Sequence, residues 1–184
     1  MSLNVSKTEF IIFKPPKKIP HERITIKLNG ITLYESSKIR YLGLIIDDRL
    51  TWKHHISELS KKLNMSIGIL FKMKKLCPKR ILMSLYFSLV HSYLSYGTCV
   101  WGNANEIHLN KIRVLQKKVV RIIANVEYNV HSSPLFKELK IWWHIKDAIR
   151  LSNVWLWPWK SPYMLQHKPR AYTVMAQEMR RLVN

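Results

Sequence analysis

The sequence predicts an α+β fold, with short strands first and helices behind them. Two observations support this prediction. The spacing of apolar residues changes after Thr51, from the alternation typical of strands to a repeat of about 3.6 residues, which is typical of helices. Asn29-Gly30 lies between two β-prone runs, and this dipeptide is the strongest short-range signal for a β-hairpin. We therefore expect a short antiparallel β segment followed by a helical bundle.

Three runs in the first fifty residues are predicted to be strands. "TEFIIF" (8–13) is β-prone and soon followed by two prolines, which cannot continue a hydrogen-bonded ladder. "RITIKLNGITLY" (23–34) alternates apolar and polar residues up to its Asn-Gly pair, where both turn residues must tolerate positive φ. "IRYLGLII" (39–46) is predicted to form one further strand that is fully apolar at its end.

The first helix is predicted to begin after Thr51, a suitable N-cap residue because its hydroxyl can accept a hydrogen bond from the first turn. Five apolar residues fall on one face of this helix: Ile56, Leu59, Leu63, Ile67 and Leu70. Three lysines fall on the opposite face: Lys61, Lys72 and Lys75. The pattern is that of an amphipathic helix with a core face and a basic face.

Two further helices are predicted. The second runs from about Pro78, a good first-turn residue, to Gly97, which suits a helix C-cap. Its apolar positions are Ile81, Leu82, Leu85, Leu89 and Tyr93. The third spans 106–125 and turns six apolar residues inward: Leu109, Ile112, Leu115, Val119, Ile122 and Ile123. Its other side carries five basic residues: Lys111, Arg113, Lys117, Lys118 and Arg121. No acid lies among them, so we favour phosphate contact over plain solvation for that side.

The charge of the chain is strongly unbalanced, with 31 Lys and Arg against 11 Asp and Glu and a formal net charge of +20. A surplus of this size predicts a polyanionic partner, most simply nucleic acid; an anionic membrane surface or an acidic protein is a weaker alternative. No apolar run approaches the roughly 20 residues that span a bilayer. Only Cys77 and Cys99 are present and no signal peptide is recognisable, so an intracellular, reducing setting is expected.

A tryptophan-rich segment follows the predicted helices. Five of the seven tryptophans lie between Trp142 and Trp159, among prolines and without a clear period. Core aromatics or an ill-folded tail are the simpler interpretations, and we favour them. Stacking of nucleic-acid bases on the indole rings, beside Lys160 and Arg170, is the sharper alternative.

The stretch "YLGLIIDDRLTWKHHI" (41–56) suggests a metal-dependent hydrolase, because it places two aspartates close to two histidines: Asp47, Asp48, His54 and His55. Adjacent residues point to opposite faces of a strand and sit about 100° apart on a helix, so neither adjacent pair converges readily on one ion. A carboxylate between a strand and a helix can instead accept backbone N–H bonds or favour the helix N-terminus. We favour this structural role for both aspartates.

Other signatures of catalysis are missing from the sequence. It contains no Gly-x-Ser-x-Gly motif, no Gly-rich phosphate loop and no Cys–His spacing that suggests a nucleophile and its base. Two-metal phosphoryl transfer needs carboxylates from separated segments. The chain has three aspartates, Asp47, Asp48 and Asp147. Composition alone therefore predicts a basic, nucleic-acid-contacting protein without an active site of its own.

Five motifs occur in a fixed order along the chain. They are "LNVSKTEFIIF" (3–13), the Asn-Gly hairpin, "YLGLIIDDRLTWKHHI" (41–56), "LYFSLVHSYLSYGTCVWG" (85–102) and "LNKIRVLQKKVVRII" (109–123). In order and spacing they resemble the reverse transcriptases of non-LTR retrotransposons, in particular the jockey-like LINE elements of animals. The resemblance covers about residues 3–149, and it implies a polymerase with fingers, palm and thumb.

The resemblance implies roles for individual residues. Lys7 matches a lysine that follows the catalytic hairpin in the family and lies near the phosphates of the incoming nucleotide. Tyr41, Leu42 and Gly43 match the primer grip, where the end of the new strand is held. The helices after Thr51 match the thumb, which grips the template–primer duplex through phosphates and without sequence preference. The basic residues expected to contact the duplex are Lys61, Lys72, Lys75, Lys111, Arg113, Lys117, Lys118 and Arg121.

Three regions are expected on this basis: residual palm strands with the primer grip at 1–50, a helical thumb-like domain at 51–150, and a Trp/Pro-rich tail at 151–184. In the family the catalytic aspartate pair lies upstream of the segment that matches 3–13. We therefore expect a truncated RNA-directed DNA polymerase that lacks the catalytic aspartates and is inactive alone. No cofactor is expected for this fragment, whereas the full polymerase would use Mg²⁺.

The expected partner is an RNA or DNA template–primer duplex, bound by non-specific phosphate contacts. No membrane and no obligate small molecule is expected. A free-standing, non-catalytic nucleic-acid-binding module derived from a retroelement is the alternative interpretation. The two differ in whether the chain works as part of a polymerase.

Overall fold

The computed structural model describes residues 8–15 and 24–141. Its strands are β1 (Glu9–Phe10), β2 (Lys27–Leu28), β3 (Ile31–Thr32), β4 (Tyr34–Glu35), β5 (Lys38–Tyr41) and β6 (Leu44–Asp47). Its helices are α1 (Lys53–Met73), α2 (Lys79–Tyr86), a π-helical turn (Phe87–His91), α3 (Ser92–Ser95), α4 (Thr98–Trp101), α5 (Glu106–Ala124) and α6 (Ser132–Glu138). Strands precede helices, so the predicted α+β class is confirmed. Lys7 and the tryptophan-rich segment lie outside the described residues.

The described strands pair two by two. β1 pairs with β4 in parallel, whereas β2 with β3 and β5 with β6 pair antiparallel. The turn between β2 and β3 consists of Asn29 and Gly30, whose φ angles are 51° and 77°. Positive φ at both positions is the geometry that favours an Asn-Gly pair, because its twist matches that of the flanking strands.

The run 39–46 is not the single strand that its apolar character predicts. It belongs to β5 and β6, which form a hairpin in which Tyr41 pairs with Leu44 across a two-residue turn. Both turn residues have positive φ, 45° at Leu42 and 78° at Gly43. The glycine supplies this conformation at low cost, but leucine at the first turn position is unusual, so the pattern gave no clear turn signal.

Helix α1 buries all five residues of its predicted core face, with exposed fractions of 5% or less: Ile56, Leu59, Leu63, Ile67 and Leu70. The predicted N-cap is wrong by one residue, because the helix begins at Lys53 and Trp52 is the N-cap, with φ 59°. The Thr51 hydroxyl still accepts a hydrogen bond from the Lys53 N–H, at 3.4 Å.

The second predicted helix is interrupted by the π-helical turn 87–91. Its buried residues recur every four positions, at Leu82, Tyr86, Val90 and Leu94. The predicted apolar face is therefore partly wrong, and Ile81 and Tyr93 are 43% and 40% exposed. A repeat of four drifts about 40° per step around a regular α-helix, and the wider π turn offsets part of that drift.

Helix α5 packs against α1 and forms the other half of the core. The side chain of Asn105 accepts a hydrogen bond from the Ile107 N–H at 3.0 Å, and Asn125 ends the helix in the left-handed conformation. Five of the six residues predicted to face inward are buried, and Leu115 is half-buried. The fully buried Trp101 belongs to the same core. Among the described residues, no helix is long and apolar enough to cross a membrane.

Replacing Ile67 by alanine should remove about 2–5 kcal/mol from the free energy of unfolding, because its side chain is 3% exposed and fills the core between α1 and its neighbours. Ile69 lies on the same helix but is 45% exposed, so Ile69→Ala should change the free energy by less than about 0.5 kcal/mol. Urea unfolding of the two variants measures the difference. Equal losses would show that the core face is assigned wrongly.

Candidate nucleic-acid interface

The Asp47 carboxylate holds the junction between β6 and α1. It is 5% exposed and accepts hydrogen bonds from the backbone N–H groups of Thr51 at 2.9 Å and Trp52 at 2.8 Å, with a longer one from Arg49 at 3.3 Å. Burial raises the pKa of Asp47, but these hydrogen bonds outweigh it, so the pKa lies below its usual value. The predicted structural role of Asp47 is confirmed by these bonds.

The four residues of the hydrolase hypothesis do not converge on a common metal position at this junction. Asp47 is occupied by backbone N–H groups, and Asp48 lies 3.8 Å from the Lys14 ammonium. His54 is exposed, while His55 is buried between Trp52 and Trp101. The Ile45 N–H donates to Nδ1 of His55 at 3.4 Å, and burial lowers the His55 pKa, which keeps the ring neutral.

Mg²⁺, which the resemblance implies for a full polymerase, has no matching donor set in the described residues. Nowhere in 8–15 and 24–141 do three His, Cys, Asp or Glu side chains come together in a way that could hold a metal ion. Two-metal catalysis needs several convergent carboxylates. The described part of the chain therefore does not fit the ion, and no step of a reaction is derived through it.

The predicted primer-grip residues form the exposed tip of the β5–β6 hairpin. Tyr41 is 57% exposed and Leu42 is 66% exposed, and Gly43 completes the turn. The Tyr96 hydroxyl donates a hydrogen bond to the carbonyl oxygen of Leu42. The structure thus brings this turn against the helical part of the chain, next to α3.

A charged cluster joins the same hairpin to α1. One Arg40 nitrogen lies 2.9 Å from each carboxylate oxygen of Glu58, and Lys62 lies 4.0 Å from that carboxylate. The hydrogen bond from Arg40 lowers the Glu58 pKa. The Lys62 ammonium also lies 5.7 Å from the centre of the Tyr93 ring. A groove of about 300 Å³ opens here, lined by residues that include Gly43 and Tyr96.

The predicted basic face of α1 is exposed to solvent. Lys61 and Lys72 lie on the outer side of the helix, and Lys75 follows its C-terminal end. Within the described residues, none of these three lysines forms an ion pair with an acidic side chain. Unpaired exposed ammonium groups are available to phosphates, because binding does not first break an internal contact.

The predicted basic side of α5 is divided. Lys111 and Lys118 are exposed, and no ion pair to them is seen in the described part of the chain. Arg113 has a side chain only 12% exposed and lies 2.6 Å from the Glu106 carboxylate. Arg121 donates from Nε to the carbonyl oxygen of Val130 at 2.8 Å. Lys117 is half-buried and also makes an internal contact.

The internal contacts of α5 were partly visible in the sequence. Glu106 precedes Arg113 by seven residues, which is about two helical turns and places both side chains on one face. The Arg121 contact with a loop carbonyl carries no such signal. Arg40, Lys62 and Tyr96 were also missed as parts of the site, because they come from three separate segments that only the fold brings together.

Known proteins resemble the chain over most of its length. It is 25% identical over 145 residues to a probable RNA-directed DNA polymerase from the transposon X-element of Drosophila melanogaster, which covers 77% of this chain. It is 30% identical over 122 residues, or 63% of this chain, to the RNA-directed DNA polymerase from the mobile element jockey of the same species. The jockey polymerase of Drosophila funebris is 34% identical over a stretch of the same length.

The chain is similar to the RNA-directed DNA polymerases of non-LTR retrotransposons. The resemblance seen in its motifs is thereby confirmed. The chain spans 16% of the length of the X-element polymerase and 13% of each jockey polymerase. No protein-family model matches it, and no solved structure matches it significantly.

Replacing Asp47 by asparagine should lower the free energy of unfolding by about 1–2 kcal/mol at pH 7, because the charged acceptor of the junction is lost. The folded-state pKa of Asp47 lies below its unfolded value, so the wild-type advantage is complete above about pH 4 and fades as the pH falls through the folded pKa. Urea unfolding between pH 7 and pH 3 measures this convergence.

Asp48→Asn is the matched control for the junction. Asp48 is adjacent in sequence, but its carboxylate makes one long contact, at 3.8 Å from the Lys14 ammonium, and is partly exposed. This variant should therefore cost less than about 0.5 kcal/mol. A gap between wild type and Asp47→Asn that stays constant from pH 7 to pH 3 would contradict the role given to the Asp47 carboxylate.

Proposed function

We propose that this chain is the part of a retrotransposon reverse transcriptase that holds the template–primer duplex, with the hairpin tip at the primer and the basic helices on the phosphates. The observation that carries the proposal is its similarity to the X-element and jockey polymerases, which extends over 122 to 145 residues of the chain. The exposed lysines of α1 and α5 support it independently, because among the described residues no acidic side chain pairs with Lys61, Lys72, Lys111 or Lys118.

Binding would be driven by release of counterions from the nucleic acid. Each lysine that replaces a condensed cation makes the affinity depend more steeply on salt, and none of these contacts reads a base. A net charge of +20 supports fast, long-range attraction of any duplex. The division of α5 refines the predicted surface: Lys61, Lys72, Lys75, Lys111 and Lys118 become its principal members.

The hairpin tip adds a contact of a different kind. Tyr41 presents an exposed aromatic ring beside an exposed turn, and this ring can pack against a sugar or a terminal base. The backbone of Leu42 and Gly43 lies at the outer end of the hairpin, where a strand end can approach it. A tip that meets the primer and lysines that meet the phosphates together support duplex binding with a defined end.

The chain is proposed to bind without polymerising by itself. Of its three aspartates, Asp47 is committed to the junction and Asp48 is its immediate neighbour. This arrangement leaves no basis for a two-metal carboxylate set in the described residues. Such a chain would serve as a segment of a polymerase, and the alternative of a free-standing binding module shares its surface but not its dependence on a catalytic portion.

Removing the proposed phosphate contacts in pairs should flatten the salt dependence of binding. For Lys61→Ala/Lys72→Ala and for Lys111→Ala/Lys118→Ala, the slope of log affinity against log salt should fall by about two units each, roughly one unit per phosphate contact. Titration of a fluorescent RNA–DNA duplex at several salt concentrations between about 50 and 200 mM measures this change in slope.

Lys79→Ala/Lys137→Ala is the matched control for these pairs. It makes the same change in net charge, but Lys79 is paired with Glu138 at 2.7 Å and neither lysine belongs to the proposed surface. Its slope should stay near that of the wild type. Equal loss in all three double variants would mean that overall charge, and not the two helix faces, accounts for binding.

Primer extension separates the polymerase segment from the free-standing module. With Mg²⁺, template, primer and dNTPs, the purified chain alone should incorporate no nucleotide. Mixed with a jockey polymerase from which the matching segment has been deleted, it should restore extension, because the missing duplex contacts are supplied in trans. Incorporation by the chain alone would overturn the proposal that it does not polymerise by itself, and failure to restore extension despite duplex binding would favour the module.

A further inference from the structure

The segment between α3 and α4 contacts the hairpin tip through Tyr96. Besides the hydrogen bond from its hydroxyl to the Leu42 carbonyl, its ring lies along the turn: a Cβ atom placed on Gly43 would be 3.6 Å from Cε1 of Tyr96. One side chain therefore supports both turn residues, by a hydrogen bond at the first and by packing at the second. This segment belongs to the motif 85–102, in which the sequence pattern assigns no individual residue to the site.

The next residue brings the backbone close to the strand that follows the turn. Gly97 is buried with φ 63°, and a Cβ atom at this position would lie 2.9 Å from Cδ2 of Leu44. A side chain here would force the Leu44 side chain to shift, and the left-handed backbone is strained for other residues, so this position favours glycine. Tyr96 and Gly97 together thus face three consecutive hairpin residues, Leu42 to Leu44.

Tyr96 is itself fixed by the core. The Trp101 indole N–H donates to the Tyr96 carbonyl oxygen at 2.8 Å, and Trp101 is fully buried. Helix α4 is joined to α3 by the Thr98 hydroxyl, which donates to the carbonyl oxygen of Leu94. The phenol ring, which is 38% exposed, therefore projects from a rigid backbone toward the turn.

The turn needs an external support. Leu42 has φ 45°, a conformation that costs a non-glycine residue free energy, and its side chain is 66% exposed and so adds little packing. Arg40 binds Glu58 and so connects the hairpin to α1 before the turn. At the turn itself, the Tyr96 hydroxyl provides the hydrogen bond from the helical part.

We infer that Tyr96 is a positioning residue, which fixes the Tyr41-Leu42-Gly43 turn relative to the helical bundle so that tip and lysines engage one duplex together. The part of this inference that concerns the primer end rests on the proposed function. Without the hydroxyl, the tip moves more freely while the lysine faces stay in place. Duplex affinity and primer-end contact thereby become separable properties.

Amide hydrogen exchange on the full 184-residue chain tests the positioning itself. In Tyr96→Phe, exchange of the peptide that contains 41–45 should become about fivefold faster, as expected for the loss of one hydrogen bond that supports the turn. Tyr93→Phe is the matched control, because Tyr93 lies on α3 with nearly the same exposure, 40%, but its ring lies beneath Lys62. Its exchange at 41–45 should equal that of the wild type.

Fluorescence of 2-aminopurine tests the consequence for nucleic acid. Two template–primer duplexes are compared, with the reporter at the primer 3′ end or in the duplex interior. Tyr96→Phe should bind both within about twofold of the wild-type affinity, since the lysine contacts remain. The change in 3′-end signal on binding should fall to about half or less, and the interior signal should be unchanged.

The outcomes separate the two proposals. Unchanged exchange at 41–45 in Tyr96→Phe, or equal effects of Tyr96→Phe and Tyr93→Phe, overturns the positioning role. Faster exchange with an unaltered 3′-end signal overturns the link to the primer end. A wild-type chain that binds no duplex contradicts the proposed function, and the exchange result then still decides whether Tyr96 holds the turn.

Discussion

The Asp47 carboxylate is the constraint on which the rest of the structure depends. A strand ends at this residue and a helix begins six positions later, so the backbone must change from pairing between strands to hydrogen bonding within a helix over a few residues. The N-cap residue Trp52 has no side-chain acceptor of its own, and Leu50 and Trp52 both have positive φ. By binding the N–H groups of Thr51 and Trp52, Asp47 fixes the direction in which α1 leaves the hairpin.

Fixing that direction decides which residues can meet. With α1 set against β6, Glu58 reaches Arg40, His55 fills the space between two tryptophans, and the hairpin tip lies beside α3. The contacts of Glu58 with Arg40 and of Tyr96 with the hairpin tip join separate elements, and each is modest by itself because it is partly exposed. Their joint effect is a hairpin held at its base, its ladder and its tip by different parts of the helical core.

The sequence predicts the long helices well and the joints poorly, for physical reasons. The core faces of α1 and α5 follow a strict helical repeat, which burial then enforces. The turn at Leu42-Gly43 and the π-helical turn depend on packing against distant residues, so local propensity does not reveal them. The lysines of α5 were recognisable as a basic side, but the burial of the Arg113 side chain, which is 12% exposed, depends on how the helix packs in the fold. Tyr96 meets Leu42 across 54 positions and leaves no local pattern.

The π-helical turn makes chain length inside the second helical stretch a determinant of the hairpin contact. Such a turn holds about one residue more than an α-helical turn for the same rotation, so a one-residue deletion between Phe87 and His91 that restores regular helix would keep the orientation of the residues that follow. The same deletion in the regular turns of α2 would rotate those residues by about 100°, and Tyr96 would leave the hairpin although no residue of the contact had changed. Loops tolerate insertions and deletions better than the helices and strands that they connect. Here the helical register between Tyr86 and Tyr96, which includes the π-helical turn, determines whether Tyr96 faces the hairpin.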